Sequence, residues 1–114
     1  MNLKQEKKQY ATVFQFQGRL DSTTAPEAEK AVLSAIESGE KNLVFDFASL
    51  DYLSSAGIRV LVQCHKKLEP THGHIFLASI PKPIENVLYI TGFLPYFQVC
   101  ESTQKALEVA SQSK

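Results

Sequence analysis

Asp51-Tyr52-Leu53-Ser54-Ser55-Ala56-Gly57-Ile58-Arg59-Val60-Leu61 follows the apolar run Leu43-Val44-Phe45-Asp46-Phe47 and leads into a helical pattern that lasts to about Leu68. The change from a short apolar run to apolar positions at 3.6-residue spacing marks a strand–loop–helix junction. Two serines stand at the helix start. A serine there ordinarily caps: its side-chain oxygen accepts a free backbone N–H of the first turn. That turn also leaves N–H groups unpaired and points the positive end of the peptide dipoles outward. A phosphate carried on such a serine is therefore well tolerated locally. The junction can exist in two charge states without unfolding. Ala56 and Gly57 add little bulk, which leaves room for the backbone of another protein to approach.

Upstream, Tyr10 to Gln17 alternates, with Tyr10, Thr12, Phe14 and Phe16 on one face and Ala11, Val13, Gln15 and Gln17 on the other, as in a half-buried strand. Residues 1–9 are polar and fit a short edge strand. Gly18 to Glu27 turns the chain, with Thr24 as the cap of a first helix, Pro26 in its first turn and Glu27 three residues after the cap. Ala25, Ala28, Val32, Ala35 and Ile36 give that helix an inner face, and Gly39 stops it. Leu43–Phe47 is nearly all apolar, as a strand covered on both faces should be. Ala48–Leu53 reads as the loop to the serines.

Downstream, Val60, Leu61, Cys64 and Leu68 line the inner side of the second helix, which Pro70 and Gly73 end. His74–Ser79 reads as a strand. Pro81 and Pro83 open a third helix, with Ile84, Val87 and Leu88 inward and Gly92 at its close. Gln98–Cys100 is a short strand. Ser102 or Thr103 caps a last helix with Ala106, Leu107 and Ala110 as its apolar positions, and 111–114 are expected to fray. Strands alternating with helices imply an α/β fold: a four- to five-stranded, mostly parallel (mixed) sheet with about four helices packed on it.

With 114 residues, 44% of them apolar, residues 1–114 read as one domain with a true core. Twelve basic and twelve acidic residues cancel, which argues against nucleic acid as the main partner. Cys64 and Cys100 lack metal spacing and read as small buried hydrophobes of a reducing compartment. The N-terminal residues have no apolar core of a signal peptide, and no run approaches the ~20 apolar residues of a membrane span. The expectation is a soluble cytoplasmic protein. Phe93 to Phe97 form an apolar cluster, which reads as core and loop packing, or as a contact patch if exposed.

Little in the chain points to catalysis. No glycine-rich phosphate loop is present. His72-Gly73-His74 reads as a polar turn, because a metal site needs three or four ligands and no Cys or carboxylate cluster accompanies it. His65, beside Lys66 and Lys67, reads as a solvated helix residue. A serine-hydrolase elbow would need a glycine before the serines and a base–orienter pair, and the stretch offers neither. A phospho-accepting aspartate is a weaker reading still: Asp46 and Asp51 flank the junction loop, but only Asp21 follows the first long strand, where such receivers carry an acidic pair. Asp51 fits a turn better. No enzyme, metal or cofactor is expected.

Two stretches carry a resemblance. Gly18-Arg19-Leu20-Asp21-Ser22-Thr23-Thr24-Ala25 looks like the first loop of the STAS-domain family, and Phe45-Asp46-Phe47 through Leu53-Ser54-Ser55-Ala56-Gly57-Ile58-Arg59-Val60-Leu61 looks like its phosphorylation loop and second helix. In order and spacing the chain resembles the stand-alone bacterial anti-sigma factor antagonists over nearly its whole length. The resemblance implies a phosphorylation-switched binding module. Its partner is an anti-sigma factor that is also a serine kinase with a GHKL-type ATP site, and a metal-dependent Ser/Thr phosphatase resets it. The acceptor implied is Ser55, two places before the glycine, ahead of Ser54, which fills a position often held by Asp. The implied partner-binding residues are Asp21, Ser22 and Thr23 from the first loop and Ser54, Ser55, Ala56, Gly57 and Arg59 from the second. The same family resemblance also admits a subunit of another complex, stressosome-like or of a lipid-transport ATPase.

Overall fold

The computed structural model describes residues 1–112. In chain order it contains β1 (Asn2–Lys7), β2 (Thr12–Leu20), α1 (Ala25–Glu37), β3 (Asn42–Leu53), α2 (Ser55–Leu68), β4 (His74–Ala78), α3 (Lys82–Ile90), β5 (Gln98–Cys100) and α4 (Thr103–Ser111). Ser111, expected in a frayed tail, closes α4; Ser113 and Lys114 lie outside the described residues.

The five strands form one sheet in the order β1-β2-β3-β4-β5. β1 runs antiparallel to β2, and the other pairings are parallel. Parallel neighbours that follow one another in sequence need crossovers, and crossovers of one hand put every connecting helix on the same face. The core follows that rule. Phe14, Phe16, Phe45, Phe47 and Leu77 are buried together with Ala28 and Val32 of α1, Leu61 and Cys64 of α2 and Ile84 and Leu88 of α3. Phe16 meets Phe45 and Phe47 edge-on, each at 5.2 Å between ring centroids. Each fully buried phenylalanine of this layer contributes roughly 1.5–3 kcal/mol.

The opposite face is covered by α4, which follows the last strand and is free of the crossover rule. Ala106 and Ala110 close over Ala11, Val13, Val44, Phe76 and Ala78. The two strand faces expected from Tyr10–Gln17 therefore belong to two cores. Thr12 is buried as well, and its hydroxyl donates to Glu40 Oε1 at 2.6 Å. Lys7 holds the other oxygen at 2.8 Å, tying β1 and β2 to the turn after α1.

The sequence reading is corrected at several places. β2 continues through Gly18 to Leu20, and β3 continues through the expected loop Ala48–Leu53. The two strands run on as a ribbon, pairing Gly18 with Leu50, Arg19 with Tyr52 and Leu20 with Leu53 across register shifts. Such irregularities bend and twist a strand pair locally. Leu50 and Leu53 turn inward while Asp51 and Tyr52 stay exposed, so Asp51 is a strand residue and not a turn residue. Thr24 does not cap α1, because its hydroxyl is engaged inside the preceding turn. His65 is half-buried and stacks on Tyr96 at 5.0 Å with planes 6° apart. In the apolar cluster nearby, Phe97 is buried and Tyr96 is 47% exposed. Cys64 is buried and free, its thiol pushed up to about 12 by burial; Cys100 is free and only half-buried.

Candidate functional site at the C-terminal ends of β2 and β3

The residues after β2 and those after β3 leave the same end of the sheet, and one hydrogen bond joins them. Ser54 N donates to the carbonyl of Leu20 at 3.0 Å. Ser54 is extended (φ −89°, ψ 175°) and is the N-cap of α2, its hydroxyl oxygen accepting from Gly57 N at 3.3 Å. Ser55 is the first residue of the helix. Its side chain is exposed and, among the described residues, has no hydrogen-bond partner. The adjacent serines thus divide two tasks that the sequence left to both: Ser54 caps, and Ser55 presents a free hydroxyl over a helix N-terminus. No acidic side chain stands in the first turn of α2, so nothing there repels an anion.

Gly57 is buried, which corrects its reading as room left for another protein. A Cβ added to it would stand 2.7 Å from Leu53 Cδ1, 2.8 Å from the Leu20 carbonyl oxygen and 2.9 Å from Leu20 Cγ. The missing side chain lets α2 settle on the ends of β2 and β3, and so sets where Ser55 sits.

The loop after β2 is held by Asp21. Its Oδ1 accepts from Thr23 N at 3.0 Å, from the Thr23 hydroxyl at 2.8 Å and from Thr24 N at 3.3 Å. The Thr23 hydroxyl, then the Thr23 amide, holds the Asp21 carboxyl below its usual range. The carboxylate thus holds the turn that leads into α1, while the Ala25 amide donates to the Asp21 carbonyl at 2.8 Å. The Thr24 hydroxyl accepts from Asp21 N at 2.9 Å and donates to the Arg19 carbonyl at 2.8 Å, closing the turn. Ser22 and Thr23 are left exposed at its tip.

Between the N-terminal halves of α1 and α2 lies a groove of about 280 Å³, lined by Ser22, Ala25, Pro26, Glu29, Ala56, Arg59 and Val60. The structure therefore gathers Ser22, Ala56 and Arg59 of the predicted residues on one groove. Ser55 stands beside it, and Asp21 and Thr23 brace the loop next to it. Ser54 and Gly57 serve the junction from within. Sequence reasoning missed Arg19 and Tyr52 on the same end. The Arg19 guanidinium lies 4.2 Å above the Tyr52 ring, and its Nε is 3.6 Å from Asp21 Oδ2. Their pairing depends on the strand extensions that had been read as loops. Pro26 and Glu29 were missed as well, since only helix packing brings them to the groove. No group of three or more His, Cys, Asp or Glu suited to a metal ion occurs among the described residues. Among these residues no helix is long and apolar enough to cross a membrane.

A mixed sheet of this strand order, with a capped helix start and an adjoining loop at one end, is the architecture of a small α/β domain. The STAS domain family model matches residues 2–106, and the chain belongs to that family. BtrV of Bordetella bronchiseptica, whose name describes an anti-sigma factor antagonist, is 34% identical over 90 residues, covering 79% of this chain and 78% of BtrV. The anti-sigma-B factor antagonist of Staphylococcus epidermidis is 25% identical over 87 residues, 76% of this chain and 81% of that protein. The crystal structure of an anti-sigma factor antagonist from Mycobacterium paratuberculosis has the same fold, with a TM-score of 0.87 over 96% of this chain and 93% of that one, at 22% identity.

Proposed function

We propose that residues 1–114 act as one STAS domain whose function is that of an anti-sigma factor antagonist switched by phosphorylation of Ser55. The observation that carries this reading is the division of labour at the start of α2: Ser54 is held as the cap, and Ser55 is exposed with an unengaged hydroxyl. In the unphosphorylated state the groove, the Asp21 loop and the Ser55 turn form a docking face for an anti-sigma factor that is also a GHKL-type serine kinase. Binding releases the sigma factor. The kinase transfers the γ-phosphoryl group of ATP to the Ser55 hydroxyl oxygen; the hydroxyl loses its proton, and ADP leaves. The phosphate adds about −1.5 to −2 charges. A docking partner fitted to the neutral hydroxyl offers that charge no counter-charge of its own, so binding weakens by about 2–5 kcal/mol while the fold persists. A metal-dependent Ser/Thr phosphatase restores the hydroxyl. The chain itself is a cytoplasmic binding module and not an enzyme.

The test uses Ser55→Ala and Ser55→Asp as baits in lysate of the native host, with captured proteins identified by mass spectrometry. A kinase with a GHKL-type ATP site, held by the alanine bait and lost from the aspartate bait, that also phosphorylates the wild-type chain at Ser55 is the expected result. Equal retention of such a kinase by both baits would overturn the switch.

A further inference from the structure

Arg59 stands out among the charged residues near the junction. Its side chain is exposed and, among the described residues, takes part in no ion pair or side-chain hydrogen bond. Arg19, the other guanidinium at this end, is engaged by the Tyr52 ring and Asp21. Ser55 and Arg59 are four residues apart in α2 and so share one helix face, with Cβ atoms about 5–6 Å apart. Helical side chains tilt toward the helix N-terminus, and a long side chain covers the turn before its own Cα. Arg59 therefore has the direction and length to return to Ser55. The groove agrees with that direction, because Arg59 lines it together with Ala56 and Ser22, next to the helix start.

We propose that Arg59 is the internal counter-ion of a phosphate on Ser55. The inference rests on Ser55 being the residue that carries the phosphate. The guanidinium supplies donors in a fixed fork that matches a phosphate in two-point geometry. In the unmodified chain it is the uncommitted cation on the wall of the groove facing Glu29 of α1. Once the phosphate is present, Arg59 swings onto it. The docking face then changes in two ways at once: Ser55 gains negative charge, and the groove loses its free cation to an intramolecular pair. The ion pair also explains how the modified helix start keeps its fold, beyond the contribution of the helix dipole.

The experiment places phosphoserine at position 55 of the full chain by genetic incorporation and follows the phosphate by phosphorus NMR through a pH titration. The second phosphate ionisation ordinarily lies near pH 6. Arg59→Gln is expected to raise it by about 0.15–0.4 unit relative to the wild-type side chain, the size of a helical i,i+4 ion pair expressed as a pKa shift. Arg59→Lys should restore part of that difference, and Arg19→Gln should leave the ionisation where it is. In the wild-type background the Arg59 Nε–H resonance should move when phosphoserine replaces serine. Identical titrations for wild type and Arg59→Gln, with an unmoved Arg59 resonance, would overturn the proposal and leave the helix N-terminus as the sole support. Because the phosphate is installed directly, this result is independent of whether a host kinase modifies Ser55, so the two readings can fail separately.

Discussion

Gly57→Ala puts one methyl group where the structure has no room for it. The added carbon would lie 2.7–2.9 Å from Leu53 Cδ1, the Leu20 carbonyl oxygen and Leu20 Cγ. One of the three is backbone, and that oxygen also accepts from Ser54 N at 3.0 Å, so relief by moving it strains the junction. Forcing a methyl group into a packed site costs about 1–3 kcal/mol. Against this, alanine is favoured over glycine in a helix by about 0.8–1 kcal/mol. With three contacts inside 3 Å, one of them to backbone, the upper part of that cost applies, and the expected net loss is about 1–2 kcal/mol. For a chain of 114 residues, unfolding entropy of about 2.1 cal/mol/K per residue makes 1 kcal/mol equivalent to about 4 °C. The variant should therefore melt about 4–8 °C below wild type by circular dichroism or calorimetry, with a lower urea midpoint. A glycine present only to admit a partner would behave in the opposite way. Its replacement would raise the melting temperature through helix propensity and impair binding alone. An unchanged or raised melting temperature would refute the packing argument.

Replacing Ser54 by Ala removes the cap on Gly57 N and should cost about 1 kcal/mol in urea unfolding, whereas Ser55→Ala should stay within about 0.5 kcal/mol of wild type; equal losses at both serines would contradict the assigned division of labour. Asp21 supplies a pH test. Its carboxyl is held below the ordinary value of 3.8, so the stability it adds is present above that value and is lost as pH falls through the lower folded-state value. Urea midpoints measured from pH 5 downward should decline less steeply in Asp21→Asn than in wild type, and parallel curves would show that the loop hydrogen bonds do not favour the ionised form.

Much of the fold is legible in the chain because its signals are local. Glycine at Gly39 and Gly92 marks helix ends where the backbone takes φ of +104° and +83°. Ser102 does cap α4, accepting from Lys105 N at 3.0 Å. The inner faces of α1, α2 and α3 follow from 3.6-residue spacing. The misreadings have a common cause. Ala48–Leu53 carries polar residues and lacks strict alternation, and it is held as strand by pairing with Gly18–Leu20 from more than thirty residues away. Thr24 has the type and spacing of a cap, yet its hydroxyl is taken up in the preceding turn by Asp21 N and the Arg19 carbonyl. His65 has lysines as sequence neighbours and aromatic rings as spatial ones.

The sequence by itself determined the order of strands and helices, the parallel character of the sheet and the position of a serine-bearing helix start, since periodicity, capping and turn chemistry act over a few residues. Tertiary structure alone decided which serine stays free, why Gly57 has no side chain, that Ser22, Ala56 and Arg59 share one groove, and that α4 covers the face opposite the other helices. These depend on how β2 and β3 pair beyond the main sheet and how α1 settles against α2. Such contacts join residues far apart in the chain, and no local pattern encodes the distance between them.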